Sequence, residues 1–244
     1  MKTLATAAIV RRSFLSFRLA LPMIPPMRLV CSHRMLLVGI CVIIAATVPS
    51  LARSSGSGKA LQQVVLRPVQ VGRGYVRKLI QGGDRVKNQV TLDLCGFHFS
   101  SESRRTGRLQ FAYVRRGSTL ALSNEVVSYR IGGAALAMRE VDEAVRACPP
   151  GEVRSTVRGV PPLRYRFTRL ATAGKGLLPG AIALQMTASG TVNGKKLTET
   201  SFGVYQRRAN ILSGVYVYGG SVESRRALAF AAAAASADNL KRRG

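Results

Sequence analysis

Glu125 is the acidic side chain best placed for chemistry in this sequence. It lies in LALSNEVVSY, residues 120–129. Strand alternation there sets Ala121, Ser123, Glu125, Val127 and Tyr129 on one face and Leu120, Leu122, Asn124 and Val126 on the other. A carboxylate among Ser123 and Tyr129 suits a polar cleft that binds a ligand. It also suits a cross-strand ion pair with Arg108 or another nearby arginine, and the sequence leaves both readings open. A second group is aromatic: Tyr205, Tyr216 and Tyr218 cluster near the C-terminal end, and Tyr216 and Tyr218 share a strand face. Such rings stack on a sugar or lipid tail, or simply cover a sheet. A third group is cationic. Arg115-Arg116 and Arg207-Arg208 fall in two expected hairpin turns, where they form an anion-binding rim if both turns lie at one end of the sheet. The bland alternative is that they are solvated turns guarding strand edges.

The usual catalytic sets have little material. His33 and His98 are the two histidines, far apart in the chain, which leaves no basis for a Ser–His–Asp triad or a His-rich metal site. Asp142 and Glu143 are adjacent on an expected helix and point apart, so they are not the facing carboxylate pair of a hydrolase. Gly72-Arg73-Gly74 lacks the Lys-Ser/Thr that completes a phosphate loop. The sequence therefore names no catalytic residue, no metal ligand and no cofactor. It reads as a non-enzymatic binding protein, with a hydrolase of unfamiliar site around Glu125 as an alternative.

Periodicity supplies the elements that position these residues. A short strand is expected within residues 63–72, turning at Pro68, and another at Gln89–Cys95, where Val90, Leu92 and Leu94 alternate. Arg108–Val114 and Leu120–Tyr129 form a hairpin. A helix follows over Ala134–Ala147. Its apolar stripe is Met138, Val141, Val145 and Cys148, and its wet side is Arg139, Glu140, Asp142, Glu143 and Arg146. Pro149-Pro150-Gly151 stops it. Val153–Val157 and Leu163–Phe167 are short strands. Ala181–Ser189, Thr198–Gln206 and Ile211–Tyr218 form a meander, the first pair joined by Asn193-Gly194, the favoured dipeptide of a type I′ turn. Ser221–Lys241 closes the chain as a helix with Glu223 near its start and Lys241 near its end, both favourable to the helix dipole. The order predicts an α+β fold: an antiparallel β-sheet with two helices packed on one face, in a single domain.

The N-terminal region reads as an address. Met35–Val48 is a 14-residue apolar run preceded by Arg28 and Arg34 and followed by Ser50-Leu51-Ala52, the order of a secretory signal cleaved after Ala52. An uncleaved anchor is the second reading, although a bilayer span takes about 20 residues. Arg11-Arg12 resembles a twin-arginine motif, and residues 1–26 also read as an extension ahead of a start at Met27. Residues 53–62 are expected to be a flexible linker, and residues 63–244 the folded domain. Export leaves two cysteines, Cys95 and Cys148, which in an oxidising compartment most simply form one disulfide. The chain carries 37 basic and 11 acidic residues, a net charge of +26. The first 52 residues hold six of the basic ones and none of the acidic, leaving +20. That charge attracts polyanions, such as anionic lipid or cell-wall polymers. An exported chain with no nucleic-acid reader motif argues against nucleic acid as the partner. The partners expected are a small molecule or an anionic envelope component, with peripheral membrane or wall contact. A basic surface protein adhering to anionic lipid or wall polymer is the alternative function.

The pieces TLDLCG (Thr91–Gly96), SSESRR (Ser100–Arg105), SNEVVSYR (Ser123–Arg130), the helix end ACP (Ala147–Pro149) and the late meander resemble a group of actinobacterial secreted proteins. These are similar to the extracytoplasmic sensor-like domain of PknH-type receptor serine/threonine kinases. The resemblance covers about residues 63–241. It implies an antiparallel sheet flanked by helices around a cleft, and ligand binding outside the cytoplasm. The chain departs from those receptors in having no kinase domain and in allowing one disulfide where the receptor domain has more. The resemblance therefore implies a stand-alone ligand-binding protein.

Overall fold

The computed structural model describes residues 57–157, 160–192 and 194–243. The expected signal segment, residues 1–52, and Asn193 of the expected turn lie outside the described residues. Eight strands form one sheet: β1 (Tyr75–Leu79), β2 (Arg105–Arg115), β3 (Ala121–Tyr129), β4 (Glu152–Val153), β5 (Leu163–Leu170), β6 (Ile182–Val192), β7 (Lys195–Arg208) and β8 (Ile211–Tyr218). Their order is β1-β2-β3-β8-β7-β6-β5-β4, with every neighbouring pair antiparallel. The chain thus lays down one meander, crosses the sheet and returns through a second whose last strand docks on β3. The helices are α1 (Ser57–Val64), α2 (Pro68–Val71), α3 (Gly133–Arg146) and α4 (Val222–Lys241).

Both faces of the sheet carry a core. Leu122, Val126, Phe202, Val204, Val215 and Val217 pack with α1 and α4. Val127, Tyr129, Leu184, Tyr205 and Leu212 pack with α3 and the segment Leu92–Phe99. The two sets alternate along the strands, so they point to opposite sides. The antiparallel α+β fold is as the sequence indicates, but α3 and α4 lie on opposite faces of the sheet, not together on one. The reason is visible in β3, where Leu122 to Val127 are all buried. A strand buried on both faces needs a layer on each.

Small residues seat α4. Ala229, Ala232, Ala233, Ser236, Ala237 and Leu240 form its buried face, and Ser221 caps it by accepting from Ser224 N at 3.1 Å. The buried backbone groups around Leu66, where the chain leaves α1, find side-chain partners. Leu66 N donates to Asn124 Oδ1 at 3.0 Å, Leu66 O accepts from Tyr113 Oη at 2.5 Å, and Val64 O accepts from Asn239 Nδ2 at 3.1 Å. Asn124 is fully buried and also donates to Ser213 Oγ and Gly214 O.

Four expectations are corrected locally. The linker expected through residue 62 is shorter, because α1 begins at Ser57. The strand expected within residues 63–72 is helical instead. Leu61, Val64 and Val65 are buried at helical spacing, and Pro68 stands in the first turn of α2, where its missing N–H costs nothing. Gln89–Cys95 is irregular. Leu92 and Leu94 are buried as expected, but both edges of β2 and β3 are already paired, and Cys95 turns the chain with φ of 55°. Glu140 is buried rather than on the wet side of α3. It accepts from Ser100 N at 2.9 Å, Ser100 Oγ at 2.5 Å and Ser101 N at 3.1 Å. Cys95 and Cys148 form the disulfide, with a Cα separation of 5.5 Å, and tie the irregular segment to the end of α3.

Replacing Asn124 by Leu keeps the volume but strands Leu66 N without an acceptor. Urea unfolding should show a loss of about 2–4 kcal/mol, whereas Gln63→Leu on the exposed side of α1 should change stability by less than about 0.5 kcal/mol. Equal effects of the two would contradict the anchoring role of Asn124.

Candidate functional site

Glu125 sits mid-strand in β3 on the α3 side of the sheet, opposite Gln110 in register. It is buried, and its carboxylate accepts from Arg108 Nε. Arg108 is equally buried. Its Nη1 donates to Gly82 O at 2.9 Å and its Nη2 to Gln110 Oε1 at 2.5 Å. Gln110 Nε2 reaches Ser123 Oγ at 3.3 Å. A polar chain therefore runs Glu125–Arg108–Gln110–Ser123 along the sheet, and of the two readings open for Glu125 the ion pair is the one formed. Burial raises the Glu125 carboxyl to about 7, against the pull of the Arg108 guanidinium. The carboxylate is closed off from solvent, which suits an internal clamp better than a general base.

Arg105, three residues earlier at the start of β2, performs a parallel task. It donates to Thr91 Oγ1 at 2.8 Å, Val86 O at 3.1 Å and Gln89 O at 2.6 Å, and pairs with Glu102 at 3.1 Å. Arg105 and Arg108 of β2 thus hold the loop between β1 and the 3₁₀ turn Ser100–Arg104 against the sheet. Burial raises the Glu102 carboxyl despite the hydrogen bond from Thr91 and the charge of Arg105. Glu102 Oε1, Ser101 Oγ and Tyr129 Oη are buried without hydrogen-bond partners among the described residues. Tyr129 lies in this second core, two positions along β3 beyond Val127, and away from the other tyrosines.

Those tyrosines form a strip. Tyr216 is opposite Ser123 in register, and Tyr218 is opposite Ala121. Tyr205 and Tyr216 meet edge to face, with centroids 5.6 Å apart. Glycines make the room: a Cβ on Gly214 would come within 2.6 Å of Tyr216 Oη, and one on Gly203 would touch both Tyr205 and Tyr216. Tyr205 is buried, whereas Tyr216 and Tyr218 are half-buried. Burial, with Glu125 nearby, pushes the Tyr218 hydroxyl up to about 12, so it remains a neutral donor and acceptor at physiological pH. Ser123 and Glu125 lie beneath the strip, close to fully buried, and Tyr216 and Tyr218 are the members that meet solvent. On the adjoining strands the same face continues with Met186 and then Phe167 and Tyr165, all half-buried. The rings of Tyr165 and Phe167 stack 6.4 Å apart.

The four rim arginines do not form one rim. The β2–β3 turn, with Arg115 and Arg116, adjoins the start of β3, whereas the β7–β8 turn, with Arg207 and Arg208, adjoins the end of β3, since Ser128 pairs with Ile211. The two pairs stand at opposite ends of the sheet, because β8 inserts between β3 and β7 and runs antiparallel to both. Arg115 lies over the Tyr75 ring at 5.4 Å. Arg207 instead lines a groove of about 760 Å³ along α3, where Asp142 accepts from Arg146 at 3.2 Å and pairs with Arg169. His98 is exposed. Among the described residues, no cluster of three or more His, Cys, Asp or Glu is placed to hold a metal, and no helix is long and apolar enough to cross a membrane.

Sequence reasoning missed Arg105, Glu102, Glu140 and Asp93. Asp93 accepts from Ser155 Oγ and from Thr156 N at 3.0 Å, fastening the irregular segment to the chain after β4. These partners are 3 to 63 residues apart, and no periodic signal links them.

The fold is similar to that of the extracellular domain of PknH from Mycobacterium tuberculosis, with a TM-score of 0.47 and 13% sequence identity over 74% of this chain and 94% of that one. This is a resemblance of structure alone. No family model and no curated protein matches the chain.

The raised Glu125 carboxyl has a stability consequence with a definite sign. Between the ordinary value of 4.5 and about 7 the folded form holds a proton that the unfolded form has released. The contribution of this group to stability therefore falls as pH rises through that window, by about 3 kcal/mol in full. Urea unfolding from pH 5 to pH 8 should show a decline that flattens in Glu125→Gln. An unchanged slope in the variant would show that Glu125 does not titrate there.

Proposed function

We propose that this protein is an extracytoplasmic, non-enzymatic ligand-binding protein whose site is the tyrosine strip of β8 on the α3 side of the sheet. The observation that carries the reading is the half-buried pair Tyr216 and Tyr218, the first seated over Gly214 and Gly203, beside the polar chain that ends at Ser123. Aromatic faces next to hydroxyl and amide groups bind a small molecule that presents a flat or ring-shaped apolar surface and hydrogen-bonding substituents. Burial and the Arg108 partner of Glu125 support binding without turnover, since a general base must reach the proton it takes. The Cys95–Cys148 disulfide and the secretory pattern of the first 52 residues support the extracytoplasmic location.

The test is native mass spectrometry of the chain recovered unreduced from its own host. The expected result is a chain two hydrogens lighter than its reduced mass, carrying an added mass that survives native spray and is lost in Tyr216→Ala/Tyr218→Ala. A chain with both thiols free would overturn the location. A chain that is always bare, or an added mass that the double variant retains, would overturn the site.

A further inference from the structure

We infer that the face of β5, β6 and β7 turned away from the tyrosine strip is a docking surface for an anionic polysaccharide. Alternation along β5, LRYRFTRL, places Tyr165 and Phe167 on one side and Arg164, Arg166 and Thr168 on the other. Register aligns Arg164 with Ser189 and Thr198, Arg166 with Thr187 and Thr200, and Thr168 with Gln185. Lys196 joins the same face opposite Thr191. Helix α4 covers this side over β7 and β8 at Phe202 and Val204, and its cover ends short of these residues. Arg164, Arg166, Thr168, Thr191, Lys196 and Thr198 are exposed, while Gln185, Thr187, Ser189 and Thr200 are half-buried.

Basic residues outnumber acids on this face, three against the single in-register acid Glu152. Among the described residues, none of the ion pairs involves Arg164, Arg166 or Lys196. Glu152 on β4 is the acid in register with Arg164, and it is exposed and unbridged to it. Glu199 is engaged by Arg225 at 3.2 Å.

The chemistry of the face selects among polyanions. It offers no apolar side chain to insert into a bilayer, which surface-bound proteins use in addition to charge. It has no aromatic platform for bases, which single-stranded nucleic acid binding requires, because Tyr165 and Phe167 point the other way. It lacks the buried aromatic or aliphatic anchor of a protein interface. It does have guanidinium forks for carboxylate or sulfate, about 6.6–7 Å apart along β5, and a flat field of hydroxyl and amide groups for sugar hydroxyls.

The experiment measures binding of the full chain to polygalacturonate as a function of salt. Neutral dextran is the uncharged control, and phosphatidylcholine vesicles with one-third phosphatidylglycerol are the lipid arm. Arg164→Gln/Arg166→Gln/Lys196→Gln is compared with Arg116→Gln/Arg130→Gln/Lys78→Gln, which removes the same charge from exposed positions elsewhere. Melting curves of both triple variants should match the parent. The face triple should lose about tenfold or more in affinity at 0.1 M salt, and its log–log salt slope should fall by about two to three. The control triple should lose less than about threefold. Equal losses in the two triples would overturn the assignment in favour of diffuse net charge. Failure of the parent chain to bind polygalacturonate, or tighter binding to the vesicles than to the polysaccharide, would overturn it as well.

Discussion

Asn124 and Glu125 impose the constraint around which this molecule is built. They are consecutive residues in an interior strand, so their side chains point to opposite faces, and both are buried. A polar group buried without a partner costs about 1–3 kcal/mol, and a charge costs more. Each face must therefore bring partners to the middle of the sheet. Asn124 receives Leu66 N, and with it the N-terminal segment that α1 opens. Glu125 receives Arg108, whose second nitrogen holds Gly82 O and, with it, the loop after β1. Neither cover is a long helix with its own strong preference. Both are short or irregular pieces fixed by polar side chains of the sheet below, Asn124 and Tyr113 on one face and Arg108 and Arg105 on the other. The same pair fixes register, since a slip of one residue would exchange the amide and the carboxylate between faces that have the wrong partners for them.

This arrangement divides the sheet along its width. Across β2, β3, β8 and β7 each face has a layer over most of it, the α3 side at Tyr216 and Tyr218 excepted. Among the described residues, the layers stop short of β5 up to Thr168, of β6 beyond Leu184 and of the far end of the β6–β7 hairpin, and there the period of the strand alone decides what water meets. One side shows Tyr165, Phe167 and Met186, and the other shows Arg164, Arg166 and a run of threonines. An apolar row and a basic row thus come from the same residues. Arginine on one side also guards the free edge of β5 beyond its two-residue pairing with β4, because a second copy approaching that edge would oppose like charges.

What the sequence makes legible here is what is periodic or local. α3 and α4, the β2–β3 hairpin and the β6–β8 meander all carry their own apolar repeat, and their observed bounds lie within a few residues of those expected. The shared face of Tyr216 and Tyr218 and the Glu125–Arg108 pairing as one of two readings were legible for the same reason, and the disulfide from the count of cysteines left after export. The sidedness of the helices was not. It depends on β8 docking on β3, a pairing between Ala121–Ser128 and Ile211–Tyr218 that no local pattern encodes. The same pairing separates Arg115-Arg116 from Arg207-Arg208. Gln89–Cys95 shows the limit of alternation itself, which reports burial on one side of a chain whether or not a neighbouring strand exists.

The tyrosine strip has a rigidity that bears on how, under the proposed function, it would select a ligand. Tyr216 lies over Gly214, and Tyr205 and Tyr216 meet over Gly203, within strands paired on both sides. Tyrosine carries few rotatable bonds, and packing over a glycine floor removes most of the freedom that remains, so binding there costs little further ordering. Ring faces held in this way accept many flat partners with similar gain. Discrimination must then come from the polar neighbours, because a group that fails to satisfy Ser123 or the Tyr218 hydroxyl leaves a buried donor or acceptor unpaired. Ser123 is itself held by Gln110, and Gln110 by Arg108, so the orientation of its hydroxyl is set by the ion pair that fastens the loop. On the proposed reading, the residue closest to choosing a ligand is thus oriented by the contact that holds the fold.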